Sequence, residues 1–209
     1  MRVQEVEIIM GTKIGFVTCV QLGLSCIEKI YSMEGQLDIV ITLKDEKAQK
    51  KSGRIFLDEF AEDHDIPLLK INNINEDIVE KTIKEKELDW LFIIGWSQIA
   101  KKNILNAPRR GCIGMHPTLL PQGRGRASIP WAILKGLKET GVTLFRLDEG
   151  TDTGDIIGQE VISLSDKITA TELYNKVNEA HITLLEQFWN GIVEDKISLK
   201  KQNEREATF

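Results

Sequence analysis

The chain predicts one α/β domain: a mostly parallel twisted sheet flanked by helices, in a Rossmann-like arrangement. Three observations lead there. Short apolar runs of strand length alternate with stretches of helical spacing from Lys13 to Ile94. The length, 209 residues, suits one domain of ordinary size, at roughly 150 residues each. Hydrophobic residues make up 42% and charged residues 28%, which is enough apolar material for a real core.

The elements follow in order. Lys13–Thr18 reads as a buried strand. Leu24, Ile27, Ile30 and Tyr31 recur at helical spacing, which predicts a helix over Leu22–Tyr31. Leu37–Thr42 is a second strand, and Lys44–Gly53 is too charged to bury and reads as a surface loop. Arg54–His64 reads as a helix with Ile55, Phe56, Phe60 and Ala61 on one side. Ile66–Ile71 carries a proline near its start, which suits a strand end or edge. Asn75 is placed to cap a helix reaching Lys86, and Asp89–Ile94 is the central-strand candidate. Such alternation implies right-handed crossovers between parallel strands.

From Arg110 the texture changes. Gly111–Met115 is a short strand that ends in the unusual turn His116-Pro-Thr-Leu-Leu-Pro-Gln-Gly-Arg-Gly-Arg126. A helix over Ala127–Lys135 tolerates Pro130 in its first turn. Gly141–Leu147 alternates as a strand, Asp148–Asp155 is an acidic loop, and Ile156–Ser163 is a further strand. A long helix is predicted over Thr169–Trp189, with Ser165 or Asp166 leading into it. The domain thus spans 13–195. Residues 1–12 are an extension or an extra strand, and 196–209 are a polar tail expected to fray.

Charge and composition narrow the function. Net charge is −5, which argues against binding nucleic acid by neutralising phosphates. The longest near-continuous apolar run, Trp90–Trp96, is far short of the ~20 residues a membrane span needs. The N-terminus lacks the apolar stretch of a signal peptide. Cys19, Cys26 and Cys112 are too scattered for a disulfide framework or a zinc cage and read as core thiols. A cytoplasmic, metal-free protein is expected. His64 reads as a surface residue and His181 as a packed helix residue.

Two long motifs carry a specific resemblance. Cys112–Arg126, followed by Glu139–Ile156 with its Asp148-Glu-Gly-Thr-Asp-Thr-Gly-Asp155 loop, resembles the N10-formyltetrahydrofolate-dependent formyltransferases. The likeness is dense over 88–160 and looser but collinear over 13–87. It implies a formyltransferase domain and a reactive Asn–His–Asp set. The His maps to His116, which opens the His-Pro-Thr turn, and the Asp maps to Asp152. The Asn position, two residues before the His, is occupied by Gly114.

The chemistry explains these residue types. An amine attacking a formyl carbon creates an oxyanion, and losing one donor to such an oxyanion costs about 10²–10³ in rate. A proton must also leave the attacking nitrogen, and an imidazole suits that relay near neutrality. The resemblance assigns proton transfer to His116, with Asp152 orienting it. For the donor that Gly114 lacks, a backbone N–H near Gly114 or Met115, a water, or a side chain such as Ser97 or Gln98 are the alternatives to a slow enzyme. The resemblance also implies that Ile94, Trp96, Ser97, Gln98 and Ile99, with Leu147, Asp148, Glu149 and Thr151, hold the folate co-substrate. Pro117, Arg124, Arg126, Lys51 and Arg54 are the candidate contacts to the acceptor.

Among subgroups, the wording Gly-Trp-Ser-Gln and Gly-Arg-Gly-Arg is similar to sugar N-formyltransferases, and the segment after the first strand lacks the glycine-serine-rich phosphate loop of the glycinamide ribonucleotide enzymes. The acidic charge also speaks against tRNA. A nucleotide-linked deoxy amino sugar is therefore the expected acceptor, in bacterial surface-glycan or nonulosonic-acid-type (pseudaminic-acid-type) synthesis. Formyl transfer to another small amine, formylfolate hydrolysis and a folate- or nucleotide-binding relic are the alternatives. Any homodimer is expected to use the last strand and helix.

Overall fold

The computed structural model describes residues 11–50 and 53–209. Seven strands form one sheet in the order β3-β2-β1-β4-β5-β6-β7. They are β1 (Ile14–Val17), β2 (Ile39–Leu43), β3 (Leu68–Ile71), β4 (Trp90–Ile93), β5 (Gly111–His116), β6 (Glu139–Arg146) and β7 (Ile156–Ser163). The first five pair in parallel, and β6 and β7 add an antiparallel edge. The sequence predicts this mostly parallel sheet, and the strands' own composition explains it. β1 and β2 are buried throughout, as strands covered on both faces must be.

The helices are α1 (Gln21–Ser32), α2 (Asp58–Asp63), α3 (Asp77–Glu85), α4 (Lys102–Leu105), α5 (Ser128–Leu134) and α6 (Ala170–Val193). On one face of the sheet α6 lays Leu173, Val177, Leu184 and Leu185 into a cluster with Phe16, Phe92 and Ile27. A second cluster, with Val79 and Ile83 of α3, Ile104 of α4 and Cys112, packs against Ile39, Ile41 and Leu91. Burial pushes the Cys112 thiol up to about 12 and raises Cys26 as well. Both thiols are therefore packed as small apolar groups.

Several expected boundaries move, each for a visible reason. α6 begins where expected, with Thr169 as its N-cap in a reciprocal capping box with Glu172, but it runs on to Val193 rather than stopping at Trp189. Asn75 does not cap α3. Its side chain accepts from Lys101 N–H at 2.7 Å and donates to the Ile99 carbonyl at 2.9 Å. The helix expected from Arg54 begins only at Asp58. Arg54 instead bridges Val20, and Phe56 is exposed. A 3₁₀ turn over Asp45–Lys50 occupies the expected surface loop.

Of the N-terminal extension, residues 1–10 lie outside the described residues, and Gly11 and Thr12 are not in a strand. The tail does not fray. Lys200 and Ile156 exchange two backbone hydrogen bonds of 2.8 Å, and a 3₁₀ turn at Glu204–Glu206 is capped by Asn203. Among the described residues no helix is long and apolar enough to cross a membrane.

Candidate active site

The strand order reverses direction between β1 and β4, the place where open α/β sheets leave a crevice at the carboxyl ends of their strands. His116 is the last residue of β5, at that end, and is 8% exposed. Its Nε2 lies 2.8 Å from the Gly123 carbonyl. A carbonyl only accepts, so Nε2 carries the hydrogen and Nδ1 holds a lone pair. That Nδ1 faces Asp152 Oδ2 at 3.6 Å. The carboxylate is too far to hydrogen-bond the ring, so the Gly123 carbonyl, not Asp152, fixes the imidazole.

Asp152 is held in turn by the Gly125 N–H, which donates to Oδ2 at 2.9 Å. Its own backbone is left-handed, φ +55°. Gly123 (φ +68°) and Gly125 (φ +97°) are left-handed too, a conformation that suits glycine. The glycines flanking Arg124 thus turn the chain so that one presents a carbonyl to His116 and the other an amide to Asp152.

Under the pair, His181 of α6 is 2% exposed, with Nδ1 2.7 Å from the Val177 carbonyl. Burial first, and then the charge of a protonated His116, push its pKa down to about 4. His181 therefore stays neutral near pH 7.

Gly114 lies on β5 beside Ile93 of β4 and Phe145 of β6. A Cβ at this position would stand 2.7 Å from Leu147 Cδ2. The room that an Asn side chain needs is thus filled by Leu147. Flanking strands on both sides favour ladder bonds over a free backbone donor at Gly114 and Met115. Gln98 does not reach into the site, because its amide donates to the Asn72 carbonyl at 2.9 Å and accepts from Ile74 N–H at 2.8 Å. Ser97, the other side chain proposed to replace the Asn, is exposed.

The segments expected to hold folate come together in part. Trp96 and Leu147 pack on the same apolar cluster. Leu147, Asp148 and Glu149 line a cavity of about 550 Å³ with Leu105 and Asn106. Trp96 Nε1 is buried with no hydrogen-bond partner, a donor awaiting an acceptor. The Ile94 side chain is fully buried in the main core, so only its backbone is available to a ligand. Glu149 pairs with Lys102 at 2.9 Å, Asp148 accepts from Gly150 N–H and the Thr153 hydroxyl, and Thr151 and Ile99 are exposed.

The acceptor candidates divide. Arg124 is not a free cation: it is 5% exposed and forks onto Glu204 at 2.7 and 2.8 Å. Arg54 is not free either, since Nη2 donates to the Leu43 carbonyl at 2.7 Å with its side chain 3% exposed. Lys51 lies outside the described residues. Pro117 is half-buried beside His116, and Arg126 is exposed. A cavity of about 590 Å³ contains Arg126, Trp131, Lys135, Gly123, Gly125 and Phe209 in its wall. Neither His116 nor Asp152 lines either cavity; the larger one borders the two glycines that hold them. Among the described residues no cluster of His, Cys, Asp or Glu could hold a metal ion.

A family model, Formyl transferase, matches residues 25–188. A methionyl-tRNA formyltransferase of Clostridium perfringens is 37% identical over 163 residues, covering 77% of this chain. The chain spans only 52% of that relative's length. A solved sugar 3N-formyl transferase, determined in the presence of dTDP and 5-N-formyl-THF, superposes with a TM-score of 0.75 at 22% identity over 95% of this chain and 69% of its own. A phosphoribosylglycinamide formyltransferase from Bacillus halodurans gives 0.70 at 25% identity, over 83% of this chain and 91% of its own.

Proposed function

The chain belongs to the formyl transferase family, and on that premise we propose that it moves a formyl group from N10-formyltetrahydrofolate to the amine of a nucleotide-linked deoxy amino sugar, within bacterial surface-glycan synthesis. The observation that carries the reaction is the His116 Nδ1 lone pair facing the Asp152 carboxylate at 3.6 Å, with the opposite ring nitrogen fixed on the Gly123 carbonyl.

In this reading Nδ1 accepts the proton that the attacking amine releases, and Asp152 stabilises the resulting imidazolium. The protonated ring then returns that proton to the departing nitrogen. Bound folate supplies the activated formyl carbon. The loop after β4 and Leu147–Thr151 hold it, and the unpartnered Trp96 N–H suits the acceptor-rich edge of a pterin.

Support for a nucleotide-linked acceptor comes from the larger cavity. Its volume falls in the range of small-molecule sites. Trp131, 53% exposed, offers a ring for a base, and Lys135 Nζ sits 5.9 Å from that ring's centre. Arg126 adds a second cation to the wall. A sugar 3N-formyl transferase among the structural neighbours is in keeping with this choice.

One observation favours a second reading. The sequence relatives at 37% identity are methionyl-tRNA formyltransferases, which points to an aminoacyl-tRNA acceptor. The net charge of −5 opposes it, because tRNA binding draws on phosphate neutralisation. The test offers formyltetrahydrofolate with nucleotide-linked 3- and 4-amino sugars in one set of reactions and with methionyl-initiator tRNA in another. A mass gain of one formyl group on a sugar is expected. Formylation of the tRNA alone transfers the assignment to the second reading, and formate release without any acceptor would mean hydrolysis.

A further inference from the structure

The tail after α6 runs back across the two loops that carry the reactive pair, and one side chain connects them. Gln202 uses its whole amide. Nε2 donates to the carbonyls of Asp152 and Gly154, at 2.9 and 2.8 Å. Oε1 accepts from Arg124 Nη2 at 2.7 Å and Nε at 3.2 Å. Arg124 is the residue between the glycine whose carbonyl holds His116 and the glycine whose amide holds Asp152. Glu204 takes the rest of the guanidinium fork. Thr208 closes the other end of the turn: its hydroxyl accepts from Gly123 N–H at 2.9 Å and its carbonyl accepts from Arg124 N–H at 2.9 Å.

We infer that Gln202 is a positioning residue for the His116–Asp152 pair: its amide fixes the loop of Asp152 against the Gly123–Gly125 turn through Arg124. The chemistry of the amide is specific. A carboxylate of the same shape keeps the acceptors for Arg124 but cannot donate to two carbonyls. The tail begins its return at the Lys200–Ile156 bridge, so Gln202 is delivered from a fixed point on β7.

The kinetic arm rests on the formyl-transfer reading; a spectroscopic arm does not. Gln202→Leu and Gln202→Glu are each compared with the unaltered protein. Both are expected to lower kcat roughly 10- to 100-fold, as small misplacements of reacting groups do, and to change formylfolate KM by a smaller factor, since Gln202 bonds the far end of the Asp148–Asp155 loop and not Leu147–Thr151. In ¹⁵N-histidine spectra, with the His116 signals identified through His116→Gln, the unaltered protein is expected to show the Nε2–H tautomer. The variants should show a mixture. Unaltered kcat and an unaltered tautomer in folded Gln202→Glu overturn the inference. If Gln202→Leu fails to fold, the isosteric Gln202→Glu decides alone. If no acceptor is formylated by the unaltered protein, the functional reading fails while the tautomer comparison still decides the role of Gln202.

Discussion

In the parallel half of the sheet the contacts are mostly apolar. Phe16 stacks on Phe92 at 5.7 Å, and Phe92 tilts against Trp189 of α6 at 6.0 Å. Around His116 the neighbours are backbone carbonyls and amides, supplied by Gly123, Gly125 and the tail. The two regions are built on different forces. Burial in the first is additive and tolerant, because many contacts share the load. The second depends on a few directed bonds, so single changes there act on geometry more than on stability.

The largest expected effect lies in the second region and would break that comparison if absent. His116→Asn removes the imidazole proposed as the base and should cut kcat by about 10²–10⁴. The fold should persist, since the ring's one bond is to a loop carbonyl and not to the core. Formyl transfer rates and thermal melting check it together. A melting loss as large as a core truncation, about 2–5 kcal/mol, would show that the site region carries stability after all.

A smaller effect sharpens the comparison at the one point where the regions touch. Leu147 belongs to the second apolar cluster and also fills the space beside Gly114. Gly114→Asn alone forces Leu147 aside and should cost about 1–3 kcal/mol, as overpacking does. Adding Leu147→Ala makes room. Gln98 is engaged elsewhere, so a side-chain donor at this position should raise kcat above the unaltered protein by roughly tenfold, part of what such a donor is worth. Saturating-folate turnover of the pair checks this. No gain would mean that Ser97 or a water already serves the oxyanion.

The contrast also explains what the sequence discloses. Apolar runs such as Trp90-Leu-Phe-Ile announce β4 because burial on both faces selects every residue in it. His116 and Asp152 are legible because their motif is long and local. The tail is not. Gln202 and Thr208 sit in a polar, non-periodic stretch, and their partners are main-chain atoms of loops 48 to 85 residues away in sequence. Nothing in residue type or spacing encodes such pairings. The same reason hid the role of Arg54 and Arg124. In sequence both read as candidate contacts to the acceptor, while the fold hands one to the Leu43 carbonyl and the other to Gln202 and Glu204. Asn75 resembled a helix cap in sequence, yet its amide joins the loop after β4 instead.

His181 supplies the smallest effect, and it belongs to the apolar region although it lies next to the site. Burial holds its pKa at about 4, below the ordinary value of 6.5. The unfolded chain therefore binds a proton at this residue between those values while the folded chain does not. Stability from this source is complete above about pH 6.5 and is lost as pH falls towards 4, by up to about 3 kcal/mol. His181→Gln cannot titrate, so its denaturant midpoint should fall less steeply between pH 6.5 and 4 than that of the unaltered protein. Because the second cause of its depression after burial is the charge on His116, the slope should also soften in His116→Asn. Parallel slopes in all three proteins would place the acid sensitivity in other groups and remove His181 from the account.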